Sequence, residues 1–451
     1  MAVNTSVQYQ AAIRRQLSKE TLPITQRYLV AHQFATKKKL EKGAGVTWTA
    51  TRFNRLPLPA SPLSEGVPPT GETLQISQVT GVALQWGDKI TFTDVGVVTT
   101  YYDLIQQSKK RLGEQIAETH ERNALAVLCG GTQVNYVSSR GSRALLQAGD
   151  VLDTVTINRT FADLANLGAP FYNGQTEADV KRAIDHGARQ STKGPSASEH
   201  YVAIVSPLVE NDLRQNPTIV NAWSYSDVNR LYINEIGYWS GIHFTQSNML
   251  PRWTGNATTG TPTATTGGSL SGATYYTLIT GIDSLGQFGE SQIYAVSAGT
   301  VVGGGNNAIS ITVPSTTGYN YNVYIGTSTS PTNLAASTST GTPTSGLYQG
   351  QTFGIAPGTT ITLSGIGLFQ VPPASPAVGV TVYPTFVFGS DYWSCLELED
   401  VTWTSLFEAD KSDPLNQLRV VGWKFFEGYV ILNQQFGCRI ESSVSNSGSF
   451  G

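Results

Sequence analysis

Two extended segments, VTWTATRF at 46–53 and TLQISQVTGVALQW at 73–86, decide how this chain is to be understood. In the first, Val46, Trp48 and Ala50 alternate with Thr47 and Thr49, the period of a strand with one apolar face. The second carries Leu74, Ile76, Val82 and Leu84 as its apolar positions. Between them Pro57, Pro59, Pro62, Pro68 and Pro69 fall within thirteen residues. Strands of about 12–14 residues at about 3.3 Å each reach about 40–45 Å. So few apolar side chains cannot give such a hairpin a core of its own. A long arm of this kind is stabilised from outside its own domain, and another subunit is the candidate.

Downstream, YDLIQQSKKRLGEQIAETHERNALAVL at 102–128 has the spacing of a helix, with Ile105, Leu112, Ile116, Ala124 and Val127/Leu128 at steps of three, four or seven. Lys110–Glu114 and Glu118–Arg122 stand at i,i+4 on its polar face, and Gly130-Gly131 closes it. At about 1.5 Å per residue it extends about 40 Å. A shorter helix is predicted near Glu177–Gln190. A buried strand follows at Tyr201–Val205, and another strand at Trp239–Phe244.

Only 14% of the 451 residues are charged, and the net charge is −3. Those charges are unevenly placed. Residues 1–60 hold Arg14, Arg15, Lys19, Arg27, Lys37, Lys38, Lys39, Lys42, Arg52 and Arg55 against Glu20 and Glu41 alone. A basic arm of this kind can bind nucleic-acid phosphates without reading sequence, lie on an acidic face of a neighbouring subunit, or simply present a solvated surface. No apolar run of 18 residues predicts a membrane span, and MAVNTSVQYQAAIRRQL lacks the apolar core of a secretory signal. Cys129, Cys395 and Cys438 are scattered, which suits a reducing site of synthesis.

Between Trp253 and Val378 only Asp283 and Glu290 are charged, and 21 of the 46 glycines lie there. This stretch reads as a separate unit inserted into the rest. Ile309, Ile311 and Val313 alternate with polar neighbours, as do Tyr319, Tyr321, Val323 and Ile325, and Ile361 with Leu363. Turn formers such as Gly303-Gly304-Gly305-Asn306 divide the runs, which indicates a β-sandwich. Tyr275-Tyr276, Gly289-Glu290-Ser291 and Tyr321-Asn322-Val323-Tyr324 resemble fibronectin type III or immunoglobulin-like modules. The edges, 254–271 and 370–378, are rich in Thr, Gly, Ser or Pro and predict hinges. The unit either solubilises the surface or binds a sugar, a host surface or a neighbouring copy.

Motifs that carry chemistry are missing. His120-Glu121 suggests a zinc-protease helix, but the second ligand position is Ala124. The five histidines are dispersed, no Cys-x-x-Cys exists, and the glycine triplet has no following Lys-Ser/Thr. Glu397, Glu399 and Asp400 could hold a cation, although strand alternation leaves only Glu397 and Glu399 on one face. Neither an enzyme, a cofactor nor a metal is expected.

The block PLSEGVPP at 62–69 leading into QWGDKITFTD at 85–94, with YPTFVFGSDYW at 383–393 and DPLNQLRVVGWKFFEGYVILN at 413–433, resembles the N4-type major capsid proteins of tailed bacteriophages. The strand YVAIVSP at 201–207 also fits, whereas 252–378 departs from the family. The resemblance implies an α+β, HK97-like fold: a basic N-terminal arm at 1–42, an extended E-loop at 43–96, and a peripheral domain at 97–196 whose spine helix is 102–128. An axial domain would combine 197–251 with 379–440. The immunoglobulin-like sandwich would be inserted at 252–378, and 441–451 would be a tail. It further implies hexamers and pentamers of an icosahedral shell around double-stranded DNA, with a portal and possible scaffold and decoration proteins as partners. Candidate intersubunit contacts are Trp48, Arg52, Phe53, Arg55 and Glu65. Arg14, Arg15, Lys37, Lys38, Lys39 and Lys42 are candidates for DNA or arm contacts. The competing reading is an adhesin that binds glycans through the insert.

Overall fold

A computed structural model describes residues 30–43, 45–54, 56–58, 62, 71–99, 103–172, 199–220, 232–258, 260–283, 290–334, 336–337, 355–365, 371–406 and 417–445. The described residues begin with a 3-10 turn, Ala31–Phe34, then β1 (Thr36–Lys39), β2 (Thr47–Phe53), β3 (Ile76–Val82) and β4 (Leu84–Thr93). Two helices follow, α1 (Asp94–Thr99) and α2 (Leu104–Cys129), then β5 (Val134–Tyr136), α3 (Thr154–Asn166), β6 (Tyr201–Val205) and α4 (Pro207–Gln215). After β7 (Glu235–Trp239), β8 (Ile242–Gln246) and β9 (Trp253–Asn256) the chain enters the Gly-rich unit. That unit holds β10 (Thr263–Thr265), β11 (Ala273–Asp283), β12 (Glu290–Tyr294), β13 (Thr300–Val302), β14 (Ala308–Thr312), β15 (Tyr319–Gly326), β16 (Asn333–Leu334), β17 (Ala336–Ser337) and β18 (Thr360–Gly365). The last strands are β19 (Thr381–Phe388), β20 (Trp393–Leu406), β21 (Leu418–Ile431) and β22 (Gly437–Ser442). Among the described residues no helix is long and apolar enough to cross a membrane.

The long helix α2 starts where Asp103 accepts a hydrogen bond from the Gln106 N–H at 3.0 Å, an N-cap that satisfies one orphan donor. Its apolar stripe divides between two cores. Leu112 and Ile116 pack on Val421, Trp423 and Phe425 of β21, while Ala124, Leu125 and Leu128 face Val202, Ile204 and Trp393. On the polar face, Glu114 pairs with Arg111 at 2.7 Å and not with the expected Lys110. Beneath α2 lies a four-stranded sheet ordered β1-β20-β21-β4. The long sheet of the protein runs β16-β15-β11-β12-β9-β19-β6-β8-β7, with β22 also paired to β19.

Strand β6 is central to that sheet. Tyr201, Ala203 and Val205 enter one core and Val202 and Ile204 another, which is why its five residues are apolar without alternation. The expected strand at Trp239–Phe244 is instead a hairpin of β7 and β8, because Ser240 and Gly241 both adopt positive φ (50° and 79°) and turn the chain. The segment 379–440, expected together with 197–251, divides between sheets. Strand β19 pairs with β6, while β20 and β21 join β1 and β4.

The Gly-rich unit has its own core, in which Ile309, Ile311, Val323 and Ile361 lie fully buried beside Tyr275 and Tyr321. Its glycine triplet is a turn, with Gly304 and Gly305 at φ 64° and 98°. The first stretch expected as a hinge is partly strand-paired, whereas 371–377 carries no strand and only Val378 bridges, to Gly255. Thr254–Asn256 lies in β9 between β12 and β19, and Thr263–Thr265 forms β10. At Gly255 the Ala377 carbonyl comes so near that an added Cβ would sit 2.3 Å from it, so the entering and leaving strands are clamped together. Leu278, Ile293 and Tyr324 of the unit also share a core with Trp253 and Val382. Within the unit Glu290 is 1% exposed; one oxygen accepts from Tyr324, Asn322 and Thr280, and burial raises its pKa against those hydrogen bonds.

Near the end of the chain Glu441 is fully buried and held bidentately by Arg143, at 2.7 and 2.6 Å, and by Arg439 at 2.8 Å. The Arg143 guanidinium also stacks on the Trp253 indole, 3.8 Å from its centroid. Burial alone would raise the Glu441 pKa. The hydrogen bonds and charges of Arg143, joined by Arg439, outweigh it and hold the carboxyl below its ordinary value. A depressed folded pKa contributes stability that is full above the ordinary carboxylate range, near about 4.3, and lost as pH falls through the folded value. Replacing Glu441→Gln leaves two guanidiniums without their anion and is expected to cost about 3–5 kcal/mol near neutrality. Thermal unfolding from pH 7 to pH 3 should show the difference between native and variant shrinking as the medium becomes acid.

Candidate assembly interface

Strands β2 and β3 pair antiparallel from Thr47↔Val82 to Phe53↔Ile76 and form a sheet of only two strands. A two-stranded ribbon does not bury enough to be stable alone. The side chains are correspondingly open: Phe53 is 61% exposed and Ile76 56%, with Leu58 at 90% just beyond. Trp48 is half-buried. Arg52 is exposed, and its Nη2 donates to the Leu432 carbonyl at 2.7 Å. Together Arg52, Phe53 and Gln78 form one wall of a cleft of about 910 Å³, and Leu432, Gln434 and Phe436 form another. Arg55 and Glu65 lie outside the described residues.

The ribbon is held at its root. Ala83 is buried and its N–H donates to the Val46 carbonyl at 2.9 Å. There the chain crosses β21 so closely that a Cβ at Gly428 would lie 2.1 Å from the Val82 carbonyl oxygen. On the ribbon's own side, a Cβ at Gly81 would meet Leu396 at 2.6 Å. Glycine on both surfaces permits the approach.

The basic arm meets acidic residues of its own chain. Strand β1 runs parallel to β20, from Thr36↔Ser394 to Lys39↔Glu397. Lys37 Nζ stands 3.7 Å from Glu397, and Lys42 Nζ 3.4 Å from Glu399. These lysines are more than half exposed, so each pair contributes only about 0–1 kcal/mol. The strand shifts register between Glu397 and Glu399, and the two carboxylates face separate lysines, so this cluster has its cations already. Lys38 and Lys39 are exposed, while Arg14 and Arg15 lie outside the described residues.

Where the arm joins the body, Glu121 of α2 is completely buried. Its carboxylate accepts the N–H groups of Val30 and Ala31 at 3.0 and 2.9 Å, that of His32 at 3.4 Å, and the Ser247 hydroxyl at 3.3 Å. Burial raises its pKa while those hydrogen bonds oppose the shift. The motif His120-Glu121 thus has a structural use that its spacing does not reveal. It satisfies the free donors at the start of the Ala31–Phe34 turn from another part of the chain.

The histidines, dispersed in sequence, converge in space. His32 and His120 meet with ring centroids 5.4 Å apart beside Glu427, and His200 and His243 meet at 4.2 Å beside Glu235 and Tyr232. The three cysteines are free thiols, and burial pushes those of Cys129 and Cys438 up to about 12, leaving them unreactive.

No protein-family model matches the chain, and no curated protein matches it by sequence. Solved structures do. The capsid of Ralstonia phage GP4 superposes with a TM-score of 0.50 at 10% identity, over 97% of this chain and 96% of that one. The capsid of cyanophage P-SCSP1u gives 0.48 at 12% identity, over 96% and 93%. That of Helicobacter pylori bacteriophage KHP30 gives 0.47 at 8%, over 98% of both chains. The chain therefore has an α+β phage-capsid fold of the HK97-like kind.

The crossing at the ribbon root is open to a direct test. Gly428→Ala forces β21 and the Val82 carbonyl apart and should cost about 1–3 kcal/mol. Gly113→Ala on α2, where an added Cβ meets nothing within 4 Å, should be neutral or slightly stabilising. Thermal unfolding of the two variants beside the native chain measures both.

Proposed function

We propose that this chain is the major coat protein of a tailed phage, assembling into hexamers and pentamers of an icosahedral shell that encloses double-stranded DNA. One observation carries the reading: a two-stranded ribbon with open apolar side chains projects from a capsid fold. Covering residues such as Phe53, Leu58 and Ile76 is worth about 1.5–3 kcal/mol for each side chain fully buried. A neighbouring subunit supplies that cover, and a ring of such heterologous contacts closes where the rotation permits. Trp48, Phe53, Arg55 and Glu65 are then contact residues, and Arg52 positions the ribbon from within.

The finer assignments extend this reading. The N4-type resemblance supports a place among those coat proteins, assembled in the host cytoplasm beside a portal and any scaffold or decoration protein. Lys37 and Lys42 serve the subunit through Glu397 and Glu399. Lys38, Lys39, Arg14 and Arg15 remain for packaged DNA or for a neighbour. The unit at 252–378, immunoglobulin-like by its strand pattern, is displayed on the outside of the shell. Its entry and exit strands are neighbours in one sheet, so it can be present without disturbing the shell contacts.

Electron microscopy of the purified full chain, alone and coexpressed with its neighbouring phage genes, tests the proposal. Shells, rings or capsomers are expected; persistent monomers under every condition would overturn it and leave the adhesin reading. The ribbon's part is checked separately with Phe53→Ser combined with Ile76→Ser, a cross-strand pair. The variant should unfold within about 0.5 kcal/mol of the native chain, as exposed substitutions do. Assembly, followed by sedimentation, should fall at least tenfold.

A further inference from the structure

The junction between arm, long helix and long strand holds an arrangement that neither the fold nor the assembly reading uses. His32 comes from the Ala31–Phe34 turn, His120 from α2 and Glu427 from β21. One donor atom from each lies within 4.8 Å of the other two. Glu427 is 3% exposed, and its Oε1 has no hydrogen-bond partner among the described residues. The other oxygen, Oε2, faces His120 Nδ1, but without the alignment of a hydrogen bond. Burial of this carboxylate is offset only in part, by the His120 ring and the nearby Tyr429 hydroxyl. His32 is oriented from behind, since its Nδ1 lies 2.8 Å from the Tyr429 hydroxyl, leaving Nε2 for another use. The His120 ring is fixed by stacking on Phe425, with centroids 4.2 Å apart. Two imidazoles and a carboxylate, one imidazole with its second nitrogen hydrogen-bonded, are the donor set of a zinc-type centre with one position left for water.

We propose that His32, His120 and Glu427 bind a divalent first-row transition ion of the zinc class, which clips the root of the N-terminal arm to the long helix and the long strand. Four-coordinate zinc with nitrogen ligands at about 2.0–2.1 Å needs donors about 3.3 Å apart. The site must therefore contract on loading. The inference is independent of assembly, because all three ligands belong to one chain.

The test uses the full-length chain, stripped with a chelator, dialysed, and titrated with Zn²⁺ and in parallel with Co²⁺. One equivalent per chain is expected, with the visible absorption of four-coordinate cobalt and a rise in unfolding temperature on adding zinc. His32→Gln and Glu427→Gln should each weaken binding at least tenfold and abolish that rise. Failure of the native chain to take up a stoichiometric ion would overturn the proposal and leave an ordinary His120–Glu427 pair. Undiminished binding by His32→Gln would overturn it as well. That variant alters a half-buried side chain, so it decides the matter even if Glu427→Gln does not fold.

Discussion

A ribbon of two strands has two faces and no third strand to cover either, and the architecture follows from that shortage. The ribbon from Thr47 to Val82 can keep its shape only if its root is rigid and its outer half is covered by something else. The root is made rigid by close approach. Gly428 lets backbone meet backbone at Val82, Gly81 makes room for the Leu396 and Val430 side chains, and β4 continues directly from β3 into the sheet beneath α2. That sheet packs against the helix through the buried trio Val421, Trp423 and Phe425.

The buried carboxylates show how the same fold uses one chemical group in opposite ways. Glu441 has two guanidiniums and is held ionised, so its contribution disappears in acid. Glu290 has only neutral donors, and burial raises its pKa, so its contribution weakens as pH rises above the ordinary carboxylate range. Glu121 accepts backbone N–H groups and works as a cap supplied across 90 residues of sequence. The first ties α2's C-terminal end to β22, since Arg439 also donates to the Cys129 carbonyl. The third ties the middle of α2 to the arm. The C-terminal half of the helix is thereby anchored at two points, Glu121 and the Cys129 carbonyl.

Local features were readable from the chain where periodicity was strong and the partner was near. The helix at 102–128, the buried run Tyr201–Val205 and the alternating strands at 309–313 and 319–325 appear in the structure close to their expected limits. The reading failed where tertiary pairing decided the outcome. Thr-rich segments at 254–271 suggested hinges, yet β-branched residues are also good strand formers once a partner is present, and β12 and β19 provide it. At Trp239–Phe244 the apolar residues suggested one strand, but a Ser-Gly turn with positive φ makes two. Trp48 and Phe53 stand out in the sequence as apolar positions of the ribbon, and the structure leaves the first half-buried and the second exposed. Arg52 donates to a carbonyl of its own chain 380 residues away, and no local pattern signals that.

The convergence of His32, His120 and Glu427 illustrates the limit most clearly. A metal motif is legible when two ligands share one helix face or one turn, because spacing then substitutes for structure. Here each ligand sits on a different element, and the pairings that unite them are long-range: β1 with β20, β20 with β21, and α2 across the sheet. Nothing shorter than the whole domain brings the three together. The same holds for the segment whose Ala31–Phe34 turn is capped by Glu121 and whose strand β1 lies along β20. Contacts of high sequence separation close late in folding, because loop entropy must be overcome before they are rewarded.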